Sequence, residues 1–357
     1  VLRSDYPNYH VVVCDNASSD GSPERIRDWA AGRLDTLRPG QPALVKYLRA
    51  PLAKPIDCLE LTRAEAEAPT PDLPDAPLTL IHTGANLGFA GGNNVALRYA
   101  LARADTDYVW LLNNDTIVAP DALTRLVERM DGDPGAGLCG SMLLDYDDPN
   151  RVQALGGARF NPWLGTHRVI GAGQAADAPV DGRWVEASMS YVIGACMLAS
   201  RRWLEEVGLL CEDYFLYFEE IDWAVRGRRR LRLAVAPRSR VYHKCGATIA
   251  RADQAIATDC LALRNRLRFT RTRLPWALPT VWLGFLGVLI NRICRGQIDR
   301  VKPILGIMFG RFQLPLPAGE GRASSSRPVC VRPRTGRRRP GSILALLNFS
   351  VRRNDKI

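Results

Sequence analysis

No C-x-x-C pair occurs in this chain, and its nine cysteines are scattered and odd in number. That spacing fits reduced, mostly buried thiols in a cytosolic protein better than a disulfide framework or a zinc site. No signal peptide is visible. No G-x-G-x-x-G follows a strand-like run, so a dinucleotide fold is not indicated. No Gly-rich, Lys/Arg-containing triphosphate loop stands near the start, which ranks a nucleotidyltransferase low. Surplus charge is also missing where it would count. The net charge is +11, but residues 318–357 hold ten Lys/Arg against two acids. The remaining body is close to neutral, which argues against nucleic acid as a partner. The longest apolar run, Pro275–Ile290, is short for a spanning helix and carries two prolines.

What is present is a repeated unit of strand, polar tip and helix. Tyr108–Leu112 is an apolar run of the length of a strand buried on both faces. It ends in Asn113-Asn114-Asp115, side chains that offer oxygen and amide ligands, and a helical spacing of Leu123, Leu126, Val127 and Met130 follows. Ligands of open α/β sheets sit at the carboxyl ends of strands, which places Asn113 and Asp115 to meet one. An Asx-rich turn capping the next helix has the same composition. Tyr9–Cys14 is a second buried strand, running into Asp15-Asn16 and a loop in which Ser22 is placed as N-cap with Pro23 first in the helix. Asp15 can accept hydrogen bonds from a base or ribose. Leu78–Ile81 is a third strand. It leads through Asn86-Leu-Gly88-Phe-Ala-Gly91-Gly-Asn-Asn94, whose glycines let backbone approach a ligand, into a helix over 95–104.

Residues 33–77 read as an insertion or long surface loop with a short helix near Leu61–Ala68. Residues 145–183 read as loop, Leu231–Ala236 as a strand ended by Pro237, and Val241–His243 as a strand end carrying a histidine. Tyr214–Arg226 sets Glu219, Glu220 and Asp222 among aromatics. Acids in apolar surroundings have raised pKa values, which suits a general base near neutrality; a solvated helix start would also favour them. Residues 251–316 are helical, and the arginine-flanked apolar run fits either a segment lying in the interface of an anionic membrane or a buried helical hairpin. Residues 317–357 read as a basic, disordered tail in which Ile343–Leu347 has too little around it to form a core.

These stretches, in this order, resemble the inverting family 2 glycosyltransferases of bacteria, especially those adding rhamnose or galactofuranose to cell-envelope polysaccharide. The matching pieces are Asp15–Ser22, Asn86–Asn94, Leu111–Asp115, Gly194–Leu198, Phe215–Asp222, Val241–His243 and Arg264–Phe269. The resemblance implies a GT-A fold, a doubly wound α/β domain with a mixed sheet, over residues 1–250. It implies that Asp15 and Asn16 contact the nucleotide base or ribose, and that Asn86, Gly88, Gly91, Asn94 and Asn114 lie about the nucleotide sugar. Asp115, Asn113 and His243 would hold Mg²⁺ or Mn²⁺, and Glu220, or Glu219 in its place, would be the general base. The implied reaction moves a sugar from a dTDP- or UDP-sugar to a lipid-linked or polysaccharide acceptor at the cytoplasmic, inner face of the cell membrane. The family's first strand, which ends in residues gripping the base, is not found ahead of Tyr9; the chain opens without Met and upstream sequence is expected to be missing. A non-catalytic nucleotide-sugar-binding fragment, or a partner of another envelope enzyme, is the alternative.

Overall fold

A computed structural model describes residues 1–35, 39–48, 52–68, 76–244, 252–311 and 342–349. The first half contains β1 (Tyr9–Asp15), α1 (Ser22–Ala30), β2 (Cys58–Thr62), α2 (Arg63–Glu67), β3 (Leu78–His82), α3 (Gly88–Ala102), β4 (Thr106–Asn113), β5 (Thr116–Val118), α4 (Ala122–Asp131), β6 (Ala136–Asp145), β7 (Val152–Leu155), β8 (Gly157–Asn161) and β9 (Thr166–Val169). Then follow α5 (Gly182–Ser188), β10 (Tyr191–Val192), β11 (Cys196–Ser200), α6 (Arg201–Val207), α7 (Glu219–Gly227), β12 (Arg232–His243), α8 (Ala252–Arg273), α9 (Leu278–Cys294), α10 (Val301–Met308) and β13 (Ser342–Phe349).

The main sheet runs β2-β3-β1-β13-β4-β11-β6-β12-β5, with β7 paired to β6. Strands β2, β3, β1, β13 and β4 are mutually parallel, and β11 enters antiparallel between β4 and β6. This is a mixed α/β sheet. Its central strands are apolar on both faces because helices cover both. Val12, Ile81, Leu111 and Met197 pack on one side, and Val13, Leu80, Trp110 and Leu198 on the other.

Strand β13 corrects the reading of the tail. Ile343, Leu344, Ala345 and Leu346 are buried, each paired to β1 and to β4. An apolar stretch with nothing around it in sequence thus finds its core in the middle of the sheet. It occupies the position between β1 and β4 from the far end of the chain. Residues 312–341 and 350–357 of the predicted tail lie outside the described residues.

Four further expectations change. Cys58–Thr62, read as part of a surface insertion, is the edge strand β2. The short helix after it does form, closed by a capping box between Thr62 and Glu65. Residues 157–169 form a β-hairpin rather than a loop, in a three-stranded sheet with β10. Strand β12 also continues through Pro237, because a shift of register between Ala236 and Arg240 absorbs the residue that cannot donate. Ser22 is the first residue of α1 rather than its cap. Gly21 precedes it at φ 81°, and the Ser22 hydroxyl donates to Asp20.

The C-terminal helices form a unit of their own. Prolines 275 and 279 fall at the start of α9 and in the short turn before it, where a missing N–H costs nothing, so the helix continues to Cys294. Residues 275–294 are long and apolar enough to cross a membrane by length and composition, a correction to the expected shortness. Val281, Phe285 and Leu289, four residues apart, are buried against Leu263 and Leu267 of α8 and Ile304 and Ile307 of α10. Leu283, Leu286, Ile290 and Ile293 are exposed on the other face. One face satisfies the hairpin reading; the other stays apolar and uncovered among the described residues.

Candidate active site

Parallel strands bring their carboxyl ends to one edge. Asp15 ends β1, Asn113 ends β4 and His243 ends β12, while β11 starts there after Gly194. The register sets Asp15 opposite both His82 and Phe349, Asn113 opposite Asn348, and His243 opposite Thr116 and Asp145. Residues far apart in sequence therefore share one rim because parallel strands end on the same side of the sheet.

Asp15 is buried, and its carboxylate accepts the Ser18 N–H at 3.2 Å. Asn16 is also buried and locks the loop before α3. Its Nδ2 donates to the Gly88 carbonyl at 3.0 Å and to Asn86 Oδ1 at 3.2 Å, and its Oδ1 accepts the Leu87 N–H at 2.9 Å. Asn86 Oδ1 in turn accepts the Gly88 N–H. These side chains shape the loop. Gly88 stands at φ 73°, and a Cβ there would collide with the Phe215 backbone and ring. A Cβ at Gly91 would meet the Leu87 side chain at 2.7 Å. Asn94 faces away from the rim in bonding terms: it exchanges hydrogen bonds with the Leu210 backbone and donates to Glu212. Asn114 is exposed at the tip after β4.

The segment Phe215–Phe218 is backbone under strain. Phe215, Tyr217 and Phe218 have φ of 64°, 70° and 76°, a region costly for aromatic residues and concentrated at functional sites. Two contacts hold it. The Phe215 carbonyl accepts the Phe89 N–H at 2.6 Å. Asn265 Nδ2, from α8, donates to the Tyr214, Leu216 and Tyr217 carbonyls at 2.7, 2.8 and 3.0 Å. Asn265 lies in one of the resembling pieces, yet nothing in its local pattern signals three carbonyl partners 48 to 51 residues away.

This strain delivers Glu219 and Glu220 at the first turn of α7. Glu219 is buried, and the Oε2 atoms of both glutamates are enclosed without hydrogen-bond partners among the described residues. Burial raises the Glu220 carboxyl to about 7. Burial first, and the neighbouring Glu220 second, push Glu219 well above the usual carboxylate range. The Glu220 carboxyl carbon is 4.0 Å from where a Gly194 side chain would begin, and the Phe89 ring is 3.4 Å from the same point. Gly194 thus lies between Glu220 and the start of α3. Asp222 has a different fate. It is fully buried and accepts Arg226 Nε at 2.8 Å, Arg273 Nε at 2.6 Å and the Tyr214 hydroxyl at 3.3 Å. It ties α7 to α8.

Asp115 and His243 do meet. His243 Nε2 is 3.3 Å from Asp115 Oδ1, while Nδ1 lies 2.7 Å from Gln153 Oε1. The Gln153 oxygen can only accept, so Nδ1 donates; a neutral ring then turns the Nε2 lone pair towards the carboxylate, and a protonated ring its N–H. Asp115 Oδ1 is enclosed and makes no hydrogen bond among the described residues. Two electron-pair donors facing each other need a cation or a proton between them. The pair fits a hard divalent ion, with the outer nitrogen of the ring fixed by Gln153 as such sites require. No group of three or more His, Cys, Asp or Glu is gathered among the described residues, so the remaining ligands would come from a bound diphosphate.

Residues 62–208 match the glycosyl transferase family 2 model. The low-salt glycan biosynthesis hexosyltransferase Agl10 of Haloferax volcanii is 27% identical over 150 residues, 42% of this chain and 46% of that protein. The N-acetylglucosaminyl-diphospho-decaprenol L-rhamnosyltransferase of Mycobacterium tuberculosis is 26% identical over 187 residues, 46% of this chain and 58% of that one. The chain thus spans about half the length of these curated relatives. Among solved structures, S. aureus TarS 1–349 overlaps 86% of this chain and 74% of its own at a TM-score of 0.43 and 10% identity. GalNAc-T7 with UDP, GalNAc and Mn²⁺ overlaps 75% of this chain and 48% of its own, at 0.43 and 12%. Residues 62–208 of this mixed α/β chain are thus similar to glycosyl transferase family 2.

Proposed function

We propose that the chain transfers a hexose, rhamnose or a related sugar, from a dTDP- or UDP-sugar to a lipid-linked or polysaccharide acceptor of the cell envelope, with inversion. The observation that carries this reading is Glu220: a half-buried carboxylate raised to about 7, beside Gly194 and the Phe89 ring. Ionised Glu220 takes the proton of an acceptor hydroxyl as that oxygen attacks the anomeric carbon. The bond from that carbon to the diphosphate oxygen breaks in the same displacement, and the electron pair leaves with the nucleoside diphosphate. Asp15 and Asn16 would lie against the nucleoside, and the turn at Asn86–Gly88 with the start of α3 would border the sugar. Asp115 and His243, with Asn113 at the same strand end, would hold Mg²⁺ or Mn²⁺, which when bound stabilises negative charge on a departing diphosphate.

The acceptor side is read from the C-terminal unit. The uncovered apolar face of α9 and seven Lys/Arg against one acid over residues 271–311 support peripheral attachment to an anionic membrane surface. The seven cysteines among the described residues are all free thiols, in keeping with the inner, cytoplasmic face. The name of the mycobacterial relative carries a diphospho-decaprenol acceptor and L-rhamnose, which supports a lipid-linked acceptor here.

Calorimetric titration of UDP and dTDP, with and without Mn²⁺, tests the reading. Binding that requires the metal and vanishes in Asp115→Ala is the expected result. Absence of binding by either nucleotide with metal present would overturn it.

A further inference from the structure

Arg266 is a buried guanidinium that meets no carboxylate among the described residues. The residue is 8% exposed, and its Nε is enclosed without a hydrogen-bond partner among the described residues. Two other arginines of α8 are paired, Arg268 with Asp213 and Arg273 with Asp222. Among the described residues, Arg266 meets the face of Phe285, its guanidinium carbon 5.1 Å from the ring centre. Arginine does not shed its proton, so a buried and unpaired one is costly unless a ligand supplies the counter-charge.

Two glycines from two elements make room for it. At Gly165, in the β8–β9 turn at φ 63°, a Cβ would lie 2.9 Å from Arg266 Cγ; at Gly284, in α9, one would lie 2.9 Å from Nη2. The guanidinium therefore sits in the seam between hairpin tip and helix. That seam is joined on purpose-built contacts: Thr280 Oγ1 donates to the Trp163 carbonyl at 2.6 Å, and the Trp163 and Trp276 rings meet edge to face at 4.7 Å. Both indoles remain half-exposed, Trp163 at 56% and Trp276 at 52%, beside exposed Leu164 and Leu283. Paired indoles on an apolar rim are the chemistry of a bilayer interface, and the plane just behind such a rim is where lipid phosphates lie.

The geometry points to Arg266 as the receptor for a phosphate or diphosphate carried by a lipid, held behind the Trp163–Trp276 rim. The planar fork of a guanidinium matches phosphate oxygens in pairs, which an ammonium does not. The inference rests on the lipid-linked acceptor proposed above and assigns its phosphate a partner in this chain.

The test is co-sedimentation of the whole protein with phosphatidylcholine vesicles, either plain, with phosphatidylglycerol, or with a polyprenyl diphosphate. The diphosphate should tighten binding by about ten- to a hundredfold over plain vesicles, the range of charged hydrogen bonds. Arg266→Gln should remove that gain while Arg266→Lys keeps part of it, with circular dichroism unchanged in both. A gain with phosphatidylglycerol that also depends on Arg266 would support the receptor and make ordinary headgroups its source. Equal binding of wild type and Arg266→Gln to all three vesicles would overturn it. UDP and dTDP binding is read separately on the same samples. If it fails while the Arg266-dependent gain persists, the transferase reading falls and the receptor stands.

Discussion

Asn265 Nδ2 lies 3.0 Å from the Tyr217 carbonyl, two residues ahead of the buried Glu219, so one amide on α8 fixes the backbone that aims both glutamates. Because it also holds the Tyr214 and Leu216 carbonyls, its removal leaves a strained segment without its brace. Asn265→Ala should cost about 1–3 kcal/mol by urea denaturation, the range for orphaned buried polar groups. It should lower kcat while leaving the donor KM near wild type. Wild-type kcat in a folded variant would remove Asn265 from positioning the base.

Glu220→Gln should lower transfer by about 10²–10⁴, the usual contribution of a general base, and spare nucleotide binding. In the wild type, kcat should climb with pH until about 7 and level off above, because burial holds the Glu220 proton up to that value. A pH–rate profile that is flat across neutrality would contradict the assignment.

The same pair makes stability fall as pH rises. The folded state binds the Glu219 and Glu220 protons more tightly than the unfolded chain does, because burial penalises both charges. That contribution is complete below the ordinary glutamate range and is lost as pH passes through about 7. The urea midpoint should therefore drop between mildly acidic and mildly alkaline buffer. Glu220→Gln should shrink the drop; an identical drop in the variant would place its origin elsewhere.

Asp222→Ala leaves Arg226 and Arg273 facing a hole in place of a fully buried carboxylate. Both arginines are partly exposed, so the loss should fall at or below the ~3–5 kcal/mol seen when one partner of a buried pair is removed. Thermal unfolding measures it, and an unchanged melting temperature would show that α7 and α8 are held by other contacts.

Leu346→Asp places a charge in the centre of the sheet, where Leu346 is 1% exposed between Val12 of β1 and Leu111 of β4. The cost should exceed about 4 kcal/mol, in the range reserved for buried unpaired charge. Far-ultraviolet circular dichroism of the variant should show loss of folded structure. A native spectrum would mean that the sheet closes without β13.

The local patterns determined much of this. Runs of β-branched and apolar residues ending in Asp15, Asn113 and His243 marked strands with ligand-bearing carboxyl ends, because alternation and length are properties of neighbours in sequence. Glu219 and Glu220 stood out for the same reason, as acids among aromatics. Pairing across distance was beyond those patterns. Ile343–Leu347 looked isolated because its partners are residues 9–15 and 106–113, and only the sheet brings them together. Local composition made Asp222 an equal of Glu220; the fold gives one two arginines and leaves the other an enclosed, unpartnered oxygen. Asn265, Gln153 and Arg266 carry no signature of their own, since each acquires its meaning from a carbonyl, an imidazole or a missing anion supplied by another element. Sequence determines which side chains are available at a strand end; packing decides which of them lose water, and with it their ordinary chemistry.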